Sequence, residues 1–252
     1  MFGAANPRRL DMDYSWLSDP FYQGYLWEGF INTLWLLLVS VVGGLLLAVG
    51  VALARIRGPK PLAWLVWAFT TVIRGTPLLV QLFFFYYGVG RLLEGIPGIR
   101  ESLLWPLLRD PFFFGALTFI LSVGAYSGEV IRGAMLSVPQ GELEAGRAFG
   151  LSGFQVLTRL WLPRAIQLCL PTLTNEIILL LKSIPLVSTI ALMDLLQAAN
   201  IIRDETFLVY EPLLLIAGIY LATTVVLTLA LRLVELNFPG MRPTRCRWLS
   251  LR

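Results

Sequence analysis

The stretch GFINTLWLLLVSVVGGLLLAVGVALA, residues 29–54, decides the fold class, because it contains no Asp, Glu, Lys or Arg between Glu28 and Arg55. About 20 mostly apolar residues are enough for a helix to cross a bilayer. The stretch ends in Ala52-Leu53-Ala54, which matches the pattern of a signal-peptide cleavage site. A signal peptide, however, has an apolar core of about 7–15 residues behind a basic segment, whereas this stretch is longer and follows acidic residues. We therefore interpret it as a retained transmembrane helix.

Four further apolar stretches follow along the chain. Two lack charged residues and two contain one or two: they are residues 111–128, 212–231, 61–90 with Arg74, and 165–193 with Glu176 and Lys182. The sequence therefore predicts an all-α membrane protein with about five transmembrane helices. Gly43, Gly44 and Gly50 in the first of them predict close packing against a neighbouring helix.

The composition excludes several classes of protein. Hydrophobic residues make up 57% of the 252 residues and charged residues only 14%, against about 25% charged residues in an ordinary soluble domain. A soluble enzyme, a disordered chain and a nucleic-acid-binding module are therefore not expected. The chain has no histidine, and neither of its two lysines follows a glycine, so it has no histidine-based metal or catalytic site and no ATP-binding P-loop. Cys169 and Cys246 are predicted to be unpaired thiols.

The positive residues between the apolar stretches predict how the chain lies in the membrane. With the N-terminus outside, the cytoplasmic segments carry 12 Lys and Arg residues and the outer segments carry 6. Lys and Arg concentrate in cytoplasmic loops, so we expect the N-terminus outside and the C-terminus in the cytoplasm. The chain then divides into an external or interfacial segment at 1–28, a transmembrane domain at 29–236 and a basic cytoplasmic tail at 237–252.

The longest cytoplasmic connection, residues 132–164, predicts two short helices joined by a glycine. The segments 137–140 and 152–155 both match a capping box, in which a serine and a glutamine three residues later cap a helix start. Gly150 between them is a good helix end, and the second helix is expected to end near Pro163. Such an element docks in a groove of a partner protein or simply packs on the helix bundle, and the pattern alone leaves both readings open.

Several motifs carry a resemblance to a known family. Glu144-Ala145-Gly146, then Gly150, then Leu160-x-Leu162-Pro163 is similar to the EAA loop of ABC-transporter permeases, whose pattern is E-A-A, three residues, G, nine residues, I-x-L-P. Other stretches resemble the polar amino-acid uptake branch of these permeases: Phe30-x-Asn32-Thr33-Leu34, Arg74-Gly75-Thr76-Pro77-Leu78-Leu79-Val80-Gln81, Ala125-Tyr126-Ser127-Gly128-Glu129-Val130-Ile131-Arg132-Gly133, and Asn175 followed by Lys182. Together these motifs cover most of residues 29–236.

The resemblance implies a permease subunit of an ATP-driven importer of a polar amino acid in the bacterial cytoplasmic (inner) membrane. Its partners would be two copies of an ATP-binding cassette subunit, a second permease that is identical or different, and an extracytoplasmic solute-binding protein. ATP and Mg would bind on the partner subunit, so this chain would hold no cofactor and would not be an enzyme. The residues that the resemblance assigns to coupling with the ATPase, within the loop at 137–163, are Glu144, Ala145, Gly146, Gly150 and Leu151.

The chain departs from the family pattern at several positions. Gly146 replaces the second alanine, Leu160 replaces the isoleucine, and Glu142 stands where glutamine is common. Lys182-Ser183-Ile184-Pro185-Leu186 stands where the family usually has Lys, Asp, Thr or Ser, Ser and Leu. Proline lacks the backbone N–H and its ring clashes with the preceding turn, so Pro185 is expected to break or kink the fourth helix.

Charged residues within the apolar stretches are candidates for the substrate pathway. A charge at the bilayer centre costs about 2.5–3.5 kcal/mol on insertion scales, so it faces the bundle interior or pairs. Arg74 either touches a substrate carboxylate or forms a structural ion pair. Glu129 either pairs with Arg132, three residues away on one helix face, or attracts a substrate ammonium group; Lys182 likewise faces the pathway or pairs with a neighbour. The full set of candidate pathway residues is Arg74, Thr76, Gln81, Tyr126, Glu129, Asn175 and Lys182.

Two other functions stand as alternatives. A stand-alone secondary transporter or channel would use Arg74, Glu129 and Lys182 for ion coupling, but it needs no EAA-spaced loop. An intramembrane enzyme would need a nucleophile with a base or a set of metal ligands, against which the missing histidine and the lack of paired carboxylates in one span both argue. The transported amino acid stays open: an exposed Glu129 favours cationic substrates, whereas Arg74 or Lys182 favours the common carboxylate or an acidic side chain.

Overall fold

The computed structural model of the chain describes residues 14–237, which form helices and their connections without any strand in that range. The α-helices are α1 (Pro20–Arg57), α2 (Lys60–Gly75), α3 (Leu78–Phe83), α4 (Gly90–Glu94), α5 (Trp105–Leu108), α6 (Pro111–Leu136), α7 (Gln140–Ala148), α8 (Gly153–Val156), α9 (Leu162–Ser183), α10 (Leu195–Thr206) and α11 (Tyr210–Asn237). π-helical turns cover Phe84–Val89 and Leu157–Trp161, and 3-10 helices cover Ser15–Ser18, Ile99–Glu101 and Ile184–Ile190. The predicted N-terminal segment as far as residue 13, and the basic tail from residue 238 with Cys246, lie outside the described residues.

The long helices confirm the prediction of about five transmembrane crossings. Four helical stretches are long and apolar enough to cross a membrane: Pro20–Arg57, Pro111–Leu136, Gly153–Ile190 and Tyr210–Asn237. The pair Lys60–Gly75 and Leu78–Glu94, bent by 110° at the break between them, gives a fifth crossing when it is counted as one span. This second crossing is a broken helix whose first part ends at Gly75, one residue after Arg74.

The first helix is longer than the apolar stretch that predicted it. Its start is set by Asp19, whose Oδ1 accepts a hydrogen bond from the Phe21 N–H at 2.9 Å, and by Pro20, which suits the first helical turn. The 38 residues of α1 span about 57 Å at about 1.5 Å per residue, well beyond the hydrocarbon core. The residues from 20 to 28, in the predicted N-terminal segment, are thus the first turns of this helix.

Helices α1 and α6 pack most closely, and small residues allow it. A Cβ atom placed on Gly44 of α1 would lie 2.5 Å from the Val123 side chain of α6, and one on Gly43 would lie 2.9 Å from Ile120. Both glycines therefore have the predicted packing role. The prediction for Gly50 is wrong, because no atom lies within 4 Å of the position its Cβ would take.

Two of the three prolines of the fourth crossing, Pro163 and Pro185, act differently. The α-helix α9 ends at Ser183 and a 3-10 helix follows over Ile184–Ile190, which confirms the predicted break at Pro185. The second cytoplasmic helix was expected to end near Pro163, and this expectation is wrong. A π-helical turn over Leu157–Trp161 precedes Pro163, and Pro163 itself lies in the first turn of α9. Proline is well tolerated in the first turn of a helix, because the backbone N–H groups there have no intrahelical acceptor. The helix therefore continues into the membrane.

A buried carboxyl group joins three helices at the outer end of the bundle. Asp194, which is fully buried, caps α10 by accepting the Gln197 N–H at 2.9 Å, and its other oxygen accepts from the Tyr220 hydroxyl of α11 at 3.3 Å. The backbone of Asp194 approaches α1 so closely that a Cβ on Gly29 would lie 2.6 Å from its carbonyl oxygen. Burial raises the pKa of the Asp194 carboxyl to about 6, while the hydrogen bonds from Gln197 and Tyr220 act in the opposite direction.

This raised pKa predicts that Asp194→Asn stabilises the protein increasingly as pH rises. The folded state favours the neutral acid, so the cost of ionising Asp194 is absent below its ordinary pKa of 3.8, grows with pH and is complete above about 6. The rise in the pKa of Asp194 corresponds to a loss of about 3 kcal/mol in the free energy of unfolding once the carboxyl group is ionised. Asparagine keeps the cap without the charge, so the difference in melting temperature between variant and parent in detergent should grow from pH 5 to pH 8. The control is Asp19→Asn, an exposed cap on α1; equal differences at both pH values for Asp194→Asn would contradict the prediction.

Candidate functional site

A cavity of about 640 Å³ lies where α1, α2 and α6 meet. It brings together three of the predicted pathway residues, Arg74, Tyr126 and Glu129. The remaining lining residues are Arg55, Trp67, Thr70, Thr71, Gly75 and Arg132. No group of His, Cys, Asp or Glu side chains able to hold a metal ion occurs between residues 14 and 237.

The carboxylate of Glu129 is held by donors from three helices. Its Oε1 lies 3.2 Å from Arg55 Nε of α1 and its Oε2 lies 2.7 Å from Arg132 Nε of α6. The Thr70 hydroxyl of α2 is 3.4 Å from Oε1, and the Glu129 side chain is only 11% exposed. The ion pair with Arg132 is the one expected from their spacing, and Arg55 adds a second cation. The negative charge of Glu129 is therefore neutralised within the protein.

Arg74 differs from these arginines because its charge is left available. Its guanidinium carbon lies 5.4 Å from the centre of the Tyr126 ring, at a distance suited to a cation–π contact. The Tyr126 hydroxyl donates to the Arg74 carbonyl oxygen at 3.2 Å. Arg74 is exposed, and no carboxylate in the described part of the chain lies within ion-pair distance of it. The cavity thus has three arginines against one carboxylate, and Arg74 is the arginine able to bind an anionic group.

Thr76 and Gln81 stabilise the break in the second crossing through hydrogen bonds to its backbone. The Gln81 side-chain amide donates to the carbonyl oxygens of Ile73 at 2.7 Å and Thr76 at 3.0 Å. The Thr76 hydroxyl donates to the Val72 carbonyl oxygen at 2.9 Å. A broken helix leaves carbonyl groups without their intrahelical partners, and these side chains supply part of the replacement. Neither is among the residues that line the cavity.

The candidate residues of the fourth crossing lie apart from this cavity. Asn175 and Lys182 are exposed on α9. Glu176, for which the motifs offered no role, lines a neighbouring cavity of about 340 Å³ that also borders Tyr126. Only its position in an apolar stretch marked it in the sequence. Arg55 was missed for a similar reason, since it was counted as a cytoplasmic loop charge.

The cytoplasmic loop forms two helices around a glycine, with one correction at its start. The capping box of α8 is confirmed: the Ser152 N–H donates to Gln155 Oε1 at 2.9 Å, and the Gln155 N–H donates to Ser152 Oγ at 3.3 Å. The capping box predicted at Ser137 is wrong. The Ser137 hydroxyl instead donates to the Gly133 carbonyl oxygen at 2.9 Å, because this serine ends α6, and the residue before α7 is Pro139.

Gly146 and Gly150, the two glycines of the EAA-like motif, have different structural roles. Gly150 has a φ of +83°, a left-handed conformation that ends a helix and that side chains with a Cβ adopt at a cost. Gly146 is buried on the inner face of α7, where an added Cβ would collide with the Leu160 side chain. The outer face of α7 presents Glu144 and Ala145, which are exposed, and Leu151 is half-buried beyond Gly150.

Two aromatic residues on the loop were not among the predicted coupling residues. Phe149 is 88% exposed and Phe154 is 73% exposed, and they stand on either side of the Gly150 turn. Aromatic side chains are enriched in the anchors of protein interfaces. A signal was present in the sequence, since two phenylalanines in a polar cytoplasmic loop are unusual.

The loop is tied to the helices that frame the cavity. The Trp161 indole N–H donates to the Met135 carbonyl oxygen at the end of α6 at 2.7 Å, and the Arg57 guanidinium carbon of α1 lies 4.6 Å from the Trp161 ring centre. Both α1 and α6 also contribute to the Glu129 cluster. The loop is therefore in direct contact with two of the helices that form the walls of the cavity.

Comparisons with known proteins agree with this architecture. The octopine transport system permease protein OccM of Rhizobium meliloti is 37% identical over 234 residues, covering 90% of this chain and 94% of that protein. The histidine/lysine/arginine/ornithine transport system permease protein HisM of Salmonella typhimurium is 39% identical over 220 residues, covering 87% and 92%. The crystal structure of an amino acid ABC transporter with histidines superposes with a TM-score of 0.74 at 33% identity, covering 89% of this chain and 99% of that one. The methionine transporter MetNI, at 17% identity and a TM-score of 0.65, shares the fold.

The family model described as binding-protein-dependent transport system inner membrane component matches residues 27–242. The relatives are transport subunits, and ATP hydrolysis belongs to a separate subunit of such systems. The long apolar helices and the family both place the chain in the inner membrane as a multi-pass protein. The chain therefore belongs to the binding-protein-dependent transport system inner membrane components, as a permease subunit of an ABC importer.

Proposed function

We propose that this permease of an amino-acid ABC importer binds the carboxylate of its substrate at Arg74, in the cavity between α1, α2 and α6. The observation that carries the proposal is the difference between the arginines of the cavity. Arg55 and Arg132 are paired with Glu129, whereas Arg74 is exposed beside Tyr126. An arginine in a wall of low dielectric constant binds a carboxylate with good geometry and strength.

The second charge near Tyr126 supports a substrate with a cationic side chain. Glu176 lies in the adjoining cavity, which also borders Tyr126. No described residue forms an ion pair with Glu176, so its carboxylate is available for an ammonium or guanidinium group. The name of one relative includes lysine, arginine and ornithine, which agrees with this choice. Glu129, the carboxylate first considered for this role, is neutralised by its two arginines.

The test of the Arg74 site is ATP-driven uptake in proteoliposomes that contain the whole importer and its binding protein. Arg74→Gln should lower the uptake rate at low substrate concentration by at least about tenfold, the effect of losing one charge-assisted hydrogen bond. Arg74→Lys keeps the charge but not the planar pair of donors, so it should give an intermediate rate. Melting temperatures of both variants should match the parent, because Arg74 has no ion pair to lose in the described part of the chain. Normal uptake by Arg74→Gln would exclude Arg74 from the pathway.

The assembly follows from the same proposal. One of the two ATP-binding cassette subunits would dock on this loop, through Glu144, Ala145, Gly150 and Leu151, and ATP and Mg would bind on those subunits. Gly146, which is buried on the inner face of α7, would act by holding the docking helix against Leu160. A second permease, identical or different, would complete the pathway, and an extracytoplasmic binding protein would deliver the amino acid. The exposed outer face of α7 and the exposed Phe149 support the docking surface.

The contacts within the chain support a simple sequence of events. Closure of the two ATPase subunits draws the docked loops together, and each loop pulls on α6 through Trp161. Because Trp161 also contacts Arg57 of α1, the helices that frame the cavity move with the loop. The cavity then changes the side of the membrane to which it opens, as a rigid-body shift between two states.

A further inference from the structure

A smaller cavity, of about 260 Å³, opens at the outer end of the bent second crossing. It shares no lining residue with the cavities around Tyr126. Its walls come from the end of the second crossing, from the connection after α5 and from the start of α6. The lining residues are Tyr86, Tyr87, Gly90, Arg91, Glu94, Leu108, Arg109 and Phe114.

The charges around this outer cavity suit a zwitterion. Arg91 and Arg109 are exposed, and neither forms an ion pair with any residue between 14 and 237. Glu94 has a single weak partner, Arg100, whose Nη2 lies 3.9 Å from Glu94 Oε2 with both side chains about half exposed or more. Exposed pairs of this kind contribute about 0–1 kcal/mol, so a ligand ammonium group can replace Arg100 at little cost.

The shape of the outer cavity limits its ligand to a small solute. Its aromatic wall is held rigid, because the Tyr86 ring packs edge-on against Phe114 at 5.7 Å and against Tyr87 at 4.9 Å between ring centres. The volume of about 260 Å³ equals the space of about nine liquid waters, which fits one amino acid.

We infer that this outer cavity is a receiving site for the amino acid before it enters the pathway. Arg91 and Arg109 would bind the carboxylate, Glu94 the ammonium group, and the tyrosines would cover the aliphatic part. The inference rests on the proposed function, because it takes the ligand to be an amino acid. The same arginines offer one other chemistry, an ion pair with acidic residues on the surface of the binding protein, and the experiment separates the two.

The test is protection of an introduced cysteine in the reconstituted importer without binding protein. Leu108→Cys places a thiol in the wall of the cavity, and Leu103→Cys places one on the same outer connection at a position that is 99% exposed and outside the cavity. A membrane-impermeant thiol reagent is added with and without an equimolar mixture of the common amino acids other than cysteine, whose thiol would consume the reagent. The chain without a new cysteine gives the background. We expect the mixture to slow labelling of Leu108→Cys and to leave Leu103→Cys unchanged. Tyr87→Cys is a second reporter on the opposite wall, should Leu108→Cys fail to assemble.

The charge requirement is tested in the same assay. Arg91→Gln with Arg109→Gln should raise the concentration needed for half protection by at least about tenfold. Arg100→Gln removes an arginine from the same connection, outside the cavity wall, and should leave protection in place.

Two outcomes would overturn the inference. One is equal labelling with and without amino acids in a protein that still shows ATP-driven uptake, which would leave the proposed function standing. The other is unchanged protection in the double arginine variant together with weaker binding of the binding protein, measured by surface plasmon resonance. That result would assign the arginines to protein docking.

Discussion

Replacement of Gly150 by valine is expected to abolish substrate-stimulated ATP hydrolysis while the chain stays in the membrane. Gly150 holds the turn between α7 and α8 at a φ of +83°, and valine is strongly disfavoured in that region because of its branched Cβ. The strain is of order 1–3 kcal/mol, which the loop relieves by changing its path. Any such change moves Phe149 and Phe154 relative to the surface that we propose docks on the ATPase. The measurement is ATP hydrolysis by the reconstituted importer with and without loaded binding protein.

Gly150→Asn is the matched control, since asparagine is the side chain that best tolerates this conformation. The cause is conformational and not steric, because no atom lies within 4 Å of the position of a Cβ on Gly150. We expect Gly150→Asn to keep most of the stimulation. Full stimulation in Gly150→Val would show that the loop does not couple the ATPase to transport. Equal loss in both variants would mean that the surface at Gly150 matters and its conformation does not.

Replacement of Glu129 by glutamine is expected to destabilise the protein most among changes in the cavity. It removes the negative charge that faces Arg55 at 3.2 Å and Arg132 at 2.7 Å and leaves two partly buried cations close together. Removal of one partner from a buried ion pair lowers the free energy of unfolding by about 3–5 kcal/mol. Because Arg55 and Arg132 are partly exposed, we expect a loss near the lower end of that range. The melting temperature in detergent should fall, and uptake should be lost with it.

Asp204→Asn is the control for this prediction, because Asp204 forms an exposed ion pair with Arg203 at 3.1 Å whose loss should leave the melting temperature almost unchanged. The same experiment decides between the two roles that the sequence left open for Glu129. A variant with the parent's melting temperature but no uptake would assign Glu129 to the substrate. A large fall in melting temperature supports its role as the group that holds α1, α2 and α6 together.

Most of the helical architecture was predictable because the bilayer imposes a simple rule. An apolar stretch of sufficient length has few alternatives to a helix when no water is available to its backbone, and the charges at its ends fix its limits. The capping box at Ser152 was also predicted correctly, because it depends on one partner, Gln155, only three residues away. The signal at Ser137 failed because the same serine ends the preceding helix, and a sequence pattern does not show which of two adjacent helices uses a hydroxyl.

The sequence predicted several residues of the candidate site, but it did not predict which of them pair with one another and which are available to a substrate. Sequence reasoning selected Arg74, Tyr126 and Glu129, which line one cavity. It gave no reason to join Arg55 to Glu129, since 74 residues separate them, and it placed Gln81 in the pathway when its side chain bonds the backbone of the broken helix.

The sequence by itself determined the membrane class, the approximate number of crossings and the family, because these depend on composition, on length and on motifs of fixed spacing. The orientation, with the N-terminus outside, stays a prediction from the positions of Lys and Arg. The tertiary structure alone decided which charge is neutralised and which is available. A side chain's charge is known from its type, but its free energy depends on what surrounds it within a few ångströms, and those neighbours come from distant parts of the chain. In the sequence, Arg74 and Arg132 look alike, since each lies inside or beside an apolar stretch. In the structure, Glu129 pairs with Arg132 and not with Arg74, so only the charge of Arg74 is available.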